Sequence, residues 1–345
     1  MKVYTDEDLD GAVKAGIFDQ KDVARFRENI SRNESPSLVG EERFRLISGF
    51  NDIYVVMACC FLLVSSTWLL AQSSQLVASV ILIGTSWLLA EYFVRKKNMA
   101  LPGIVLAFSF LIGVGMCYLV VFGERASNLR WQNAEPFVCL ALSLASWLHW
   151  RRFKVPITVA AGTASLLFFV ALIIGAWSGI DFSGPLNSYL FISIGLGSGI
   201  IAFLYAMYWD SLDQTRRRRN SDVAFWLHIL SAPLIVHSIY LGLGILSDRH
   251  DMLNVLIVIG VFFLITILSL VIDRKAFMVS AIAYVLYAVS ELFRQYSSVD
   301  MSSAATGVFM GLMLLLLSMF WQDIRRILMP VLPERIQRAV PAAQD

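Results

Sequence analysis

The sequence predicts an all-α fold: a polytopic transmembrane helix bundle of about ten spans, preceded by a small N-terminal helical hairpin. Three observations predict it. Hydrophobic residues make up 57% of the 345 residues and charged ones only 16%, with a mean hydropathy of +0.67. A soluble domain carries about 25% charged residues, so this composition points to lipid as the main solvent. The apolar residues are gathered into ten runs, most of them near the roughly 20 residues a helix needs to cross a bilayer. The basic residues crowd into every second connection between runs, as the positive-inside rule requires. A barrel does not fit, because the runs lack its two-residue alternation and an open sheet would expose unsatisfied backbone to lipid.

Residues 1–52 form a polar head with no continuous apolar stretch, so no cleavable signal peptide is expected. Thr5-Asp6-Glu7-Asp8 reads as a helix cap with acidic first-turn residues. Leu9 and Val13 give a short apolar face, and Gly16 a stop. Asp19 opens a second helix on which Val23, Phe26 and Ile30 recur at helical spacing. Such a hairpin is too small for a substantial core of its own. Residues 31–40 are a polar linker, which completes a 1–40 unit. Residues 41–52 are an interfacial segment in which Phe44, Leu46, Ile47 and Phe50 dip while Arg43 and Arg45 stay wet.

The runs follow at 53–71, 76–94, 101–122, 135–150, 155–177, 188–208, 223–246, 253–272, 276–293 and 301–321. The fourth is the shortest. Residues 322–345 are an amphipathic tail carrying Ile324, Ile327, Leu328, Val331 and Leu332, punctuated by three prolines.

Orientation follows from Lys and Arg. With the N-terminus inside, the head, four connections and the tail hold 24 of the 28, and the outer loops hold Arg125, Arg130, Arg249 and Arg294. The expected location is a bacterial inner membrane with both termini cytoplasmic. Aromatic residues precede the basic clusters, as in Tyr92-Phe93, Trp147 and Trp150, Tyr208-Trp209 and Phe320-Trp321. This is the aromatic belt of the inner interface. The densest cluster is Arg216, Arg217, Arg218 and Arg219. In isolation it could meet nucleic acid. Among basic connections that share one face, it reads as a topology anchor touching anionic lipid headgroups. Asp210 and Asp213 temper its charge.

Ionisable residues inside apolar runs are functional suspects. Glu91 has Arg95 four residues on, an interfacial pair. Glu291 has Arg294 three residues on and follows Ser280, Tyr284 and Tyr287 along one face of the ninth run. The seventh run carries His228 and His237 with Pro233 between them. His237 lies near mid-span, with Tyr240 and Gly244 on its side of the helix. Pro233 removes the usual partner of the Ile229 carbonyl. A broken helix beside a midplane histidine is how transporters build sites. The same residues also suit a proline kink and a buried, hydrogen-bonded histidine. Candidate binding residues are therefore His237, Glu291, Tyr240 and Tyr287.

Gly195 and Gly199, and Gly307 and Gly311, have the spacing that lets helices approach closely. Cys117 and Cys139 fall near the same ends of adjacent runs and could meet; packing thiols are the alternative. None of the four cysteines has metal-ligand spacing. No catalytic motif of the hydrolase, metalloprotease, nucleotide-binding or dinucleotide-binding kind occurs. No enzymatic activity and no cofactor or metal are expected.

The head segment LDGAVKAGIFDQKDVARFRENI resembles the short cytoplasmic helical hairpins that precede the spans in bacterial families of multi-pass membrane proteins of unknown function. Ten spans with both ends inside are also similar to the drug/metabolite transporter class, whose halves are inverted five-helix repeats. The resemblance carries over no site residue, because the two halves show no self-similarity. Two functions remain open at this level. One is a non-enzymatic membrane protein whose head and tail engage a cytoplasmic protein. The other is a secondary transporter of a small solute with a midplane site near His237 and Glu291.

Overall fold

The computed structural model describes residues 9, 11–13, 15–23, 25–26, 50–126, 135–178, 189–213, 219–243, 252–282, 284–286, 307–308, 311–313, 315–316, 319–333, 337 and 340. Among these residues there are helices, turns and bends but no strand. The chain divides into a unit over Met1–Arg43 and a second over Phe44–Ala343. In the first, Gly16 stops a helical turn at φ +71°, a conformation that costs glycine little. Asp19 opens the next turn, its carbonyl accepting from the amide of Val23 at 3.2 Å.

Besides helical residues at 307–308, 311–313 and 315–316, the second unit is built from ten α-helices among the described residues. They are α1 (Phe50–Ala71), α2 (Gln75–Ala90), α3 (Ala100–Ala126), α4 (Glu135–Phe153) and α5 (Ile157–Ser178). After them come α6 (Tyr189–Ser211), α7 (Arg219–Gly242), α8 (Met252–Ile272), α9 (Ala276–Leu286) and α10 (Trp321–Leu328). Six helices are long and apolar enough to cross a membrane: α1, α2 with its extension to Lys96, α3, α5, α6 and α7. That is four fewer than the ten runs of the sequence. α4 and α8 are helical over the fourth and eighth runs, α9 covers the first part of the ninth, and the tenth is described only in pieces.

These helices wear their apolar residues outward as well as inward. Phe61, Trp68, Leu88, Trp177 and Leu264 are all more than half exposed. A water-soluble bundle would bury such side chains; a bundle solvated by lipid need not.

Three close antiparallel hairpins organise the unit: α2 with α3, α4 with α5, and α6 with α7. Each closes on a glycine. A Cβ at Gly113 would meet Ile83 at 2.9 Å, and one at Gly162 would meet Ser146 at 3.0 Å. At Gly199 the obstruction is Ile235, its side chain at 2.7 Å and its backbone nitrogen at 3.0 Å. Gly195 faces Ser238, and Ile192 faces Gly242, so the pairing runs the length of α6 and α7. Pro233 sits inside α7 without ending it.

Helix ends toward the basic connections are abrupt. Asn98, Lys154 and Asp273 take left-handed conformations, at φ 53°, 55° and 58°. Such values are uncommon outside glycine, although Asn and Asp tolerate them. α2 widens into a π-helical turn over Glu91–Lys96 before stopping. Packing divides between two large clusters. One joins α1, α2 and α3 to the α4–α5 corner through Leu63, Leu82, Leu106 and Phe153. The other joins α7, α8, α9 and α10 through Val236, Phe262, Phe277 and Trp321.

Candidate functional site

The site is assembled at the ends of α6, α7 and α8. α6 carries Asp210 on its last turn, beneath Trp209. α7 brings Ser221 on its first turn and His228 two turns deeper. α8 ends at Ile272. The left-handed Asp273 then turns the chain, so that Arg274 points back into the bundle. The Arg274 amide donates to the Ser269 carbonyl at 3.0 Å, and the Ser269 hydroxyl donates to the Arg274 carbonyl. Both ends of the Arg274 backbone are thereby pinned to α8.

Asp210 is the hub. It is 2% exposed, His228 0% and Arg274 1%. Arg274 Nη2 lies 2.6 Å from Asp210 Oδ1, and His228 Nε2 lies 2.9 Å from Oδ2. Arg274 Nη2 also donates to the Ser221 hydroxyl at 3.2 Å and to its carbonyl at 3.3 Å. A buried carboxylate is tolerable only when opposite charge and hydrogen bonds replace its water. Here an imidazole does so from α7 and an arginine from the turn after α8. Phe203 and Phe277 flank His228, at ring distances of 5.7 and 6.0 Å, so the pair is held in an apolar surround.

A second cluster adjoins it through Asp273. Its carboxylate accepts from Trp321 Nε1 at 2.9 Å and faces Arg325 Nη1 at 3.5 Å. Arg325 Nε donates to the Leu270 carbonyl at 3.1 Å. Burial lowers the Arg325 guanidinium from its ordinary value, and Asp273 opposes that. The tail thus docks by one face and leaves its apolar stripe exposed. Trp321, Arg325 and Met329 are buried, while Ile324, Ile327 and Val331 face outward.

The sequence-predicted residues lie elsewhere. His237 is on α7, and its Nδ1 contacts the hydroxyl of Tyr284 on α9. Tyr284 stacks on Tyr240 at 4.2 Å, and the Tyr240 hydroxyl donates to the Val258 carbonyl of α8 at 3.2 Å. His237, Tyr240 and Tyr284 are therefore brought together. Glu291, Tyr287, Arg216, Arg217 and Arg218 lie outside the described residues. Arg219 opens α7 and is exposed. Glu91 bonds Arg95 at 3.3 Å and also Arg152 of α4 at 2.5 Å, a partner that helical spacing could not reveal. Cys117 and Cys139 are not joined in a disulfide.

Sequence reasoning missed the Asp210–Arg274 pair and the Asp273–Arg325 pair. It counted Arg274 and Arg325 among the inner basic residues, set Asp210 against the arginine run and passed over Asp273. It also passed over His149, which is buried among Trp87, Phe110 and Phe153. Neither ring nitrogen of His149 has a hydrogen-bond partner among the described residues.

Among the described residues no group of three or more His, Cys, Asp or Glu could hold a metal ion. No protein-family model matches the chain, and no curated protein and no solved structure matches it. The ion cluster can close the basic end of the bundle. Asp210 anchors α6 to α7 and α8 at once, and Asp273 fixes α10 beneath α8.

Proposed function

We propose that the chain is a ten-span integral protein of a bacterial inner membrane with both termini cytoplasmic. Its role is non-enzymatic: a scaffold whose hairpin head and docked tail engage a cytoplasmic protein. One observation carries this reading. The buried charges Asp210, Arg274, Asp273 and Arg325 are committed to one another at the helix ends. The cavity between α4, α5 and α6 is lined by apolar, aromatic and hydroxyl side chains, with no ionisable group other than a tyrosine. A solute site coupled to ions would present its charges to such a cavity. Counting ten spans is supported by α4 and α8 over two of the remaining runs. The cytoplasmic assignment is supported by the basic residues at the ends of α2, α4 and α8. The resemblance of the head to hairpins of multi-pass bacterial proteins agrees with both.

The test has two arms. A fluorescent-protein reporter inserted between Asp213 and Arg219 should fluoresce, and a phosphatase inserted there should stay inactive. Active phosphatase overturns the topology. A metabolite panel should leave the melting temperature of the purified protein unchanged.

Transport is the second reading, favoured by His237, Tyr284 and Tyr240 meeting across α7, α8 and α9 beside Pro233. A solute that stabilises the wild type and fails with both His237→Ala and Glu291→Ala would replace the scaffold reading with this one.

A further inference from the structure

The cleft between α4, α5 and α6 has a polarity gradient. Its volume is about 470 Å³, inside the roughly 300–1,000 Å³ of ligand sites. The end near the basic connection is walled by Trp150, Thr158, Tyr205 and Trp209. The far end, about two turns deeper, is walled by Leu166, Leu167 and Ile201, with Ser143 as its one polar side chain. The cleft is open at the side, since Trp147, Leu166 and Ile201 are 55%, 46% and 57% exposed. α5 leans on α4 and α7 and barely touches α6, which leaves the gap.

Two polar groups in this lining lack partners. The Ser146 hydroxyl is buried on a residue 0% exposed, and Trp209 Nε1 is buried although the residue is only half-buried. Neither has a hydrogen-bond partner among the described residues. Both are donors, and donors in an apolar wall call for an acceptor.

Cations stand at the mouth. Arg151 lies over the Trp147 ring at 4.9 Å, and Lys154 Nζ over Trp150 at 5.2 Å. Lys154 holds a left-handed backbone to sit there. Arg152 is taken by Glu91, but neither Arg151 nor Lys154 has a carboxylate partner among the described residues. We infer that the cleft holds one acyl chain of an anionic phospholipid of the cytoplasmic leaflet. The headgroup lies at Arg151 and Lys154, and the ester oxygens accept from Ser146 and Trp209. Apolar depth, donors at the level of the ester and free cations at the mouth follow the order of parts in such a lipid.

The inference rests on the membrane reading above, and the experiment separates the two. Membranes holding the full chain are washed with carbonate, and the retained protein is purified in detergent. Native mass spectrometry then follows titration with phosphatidylglycerol and with phosphatidylcholine. One phosphatidylglycerol should be retained about tenfold or more tightly than phosphatidylcholine, as two surface cations imply. Ile201→Trp and Leu166→Trp, each filling the cleft from an exposed position, should both lose it. The double variant R151Q/K154Q should level the two lipids. No retained lipid, equal retention of both lipids by the wild type, or retention unchanged in both filled variants overturns the inference. A chain stripped by carbonate overturns the membrane reading instead.

Discussion

Arg274 reaches back 64 residues to place its guanidinium 2.6 Å from the carboxylate of Asp210, with both side chains at 1% exposure. The residue beside it, Asp273, faces the other way and holds Trp321 and Arg325. Two adjacent residues of opposite charge therefore join the α6–α7 hairpin to the tail through one turn of backbone. A shift of that turn would move both partners together.

Removing one member of the buried pair leaves the other charge stranded. Asp210→Ala or Arg274→Ala should cost roughly 3–5 kcal/mol. The double variant D210A/R274M should recover a good part of that loss. Denaturation in a titration of sodium dodecyl sulfate against mild detergent measures all three.

The tail helix depends on Arg325 and not on its neighbour. Arg325→Ala removes the buried partner of Asp273 and the bond to the Leu270 carbonyl. Limited proteolysis should then cleave near residues 326–335 at a markedly higher rate. Arg326→Ala removes an exposed pair with Asp323 at 3.7 Å and should raise the cleavage rate far less. Equal sensitivity of the two variants would contradict the docked tail.

Close approach of α6 and α7 makes Gly199 intolerant. Gly199→Ala would press a methyl group on the backbone nitrogen of Ile235 and should destabilise the protein by about 1–3 kcal/mol. Gly197, two residues away, has open space around it. Gly197→Ala should therefore be neutral in the same melting experiment, which controls for helix propensity.

The contact between His237 and Tyr284 links α7 to α9. Tyr284→Phe keeps the ring stack on Tyr240 and deletes only the hydroxyl. A loss of about 0.5–1.5 kcal/mol is expected. Tyr284→Ala should cost more, because the stack goes too. Thermal melts of the two variants separate the hydroxyl from the ring.

The helices were legible because lipid writes a simple rule along the chain. Apolar runs such as 101–122 and 188–208 reappear within Ala100–Ala126 and Tyr189–Ser211. The Gly195 and Gly199 pair was legible as a packing surface, since small residues four apart have few other uses in a span. The Glu91–Arg95 pair followed from local spacing. The ion cluster did not, because Asp210, His228 and Arg274 come from two helices and a distant turn and share no periodicity. Asp210 and Arg274 also sit at the ends of runs, where ordinary interfacial charge sits, so position alone could not mark them as buried. The docking of the tail was hidden for a related reason. Its apolar residues marked an amphipathic segment, and Ile324, Ile327 and Val331 do stay exposed on one side. The docked side is led by Trp321 and Arg325, whose shared partner Asp273 lies about 50 residues away, beyond the reach of local spacing.

Asp210 has one partner 18 residues away and another 64 residues away, and synthesis delivers them in that order. When α6 and α7 have left the ribosome, His228 is present and Arg274 is not. At roughly 5–20 residues per second the gap lasts several seconds. During that interval the imidazole is the partner that has already arrived for the carboxylate. His228 thus has a claim on biogenesis separate from any claim on the finished protein: it lets the hairpin close before the residue that finally secures it exists.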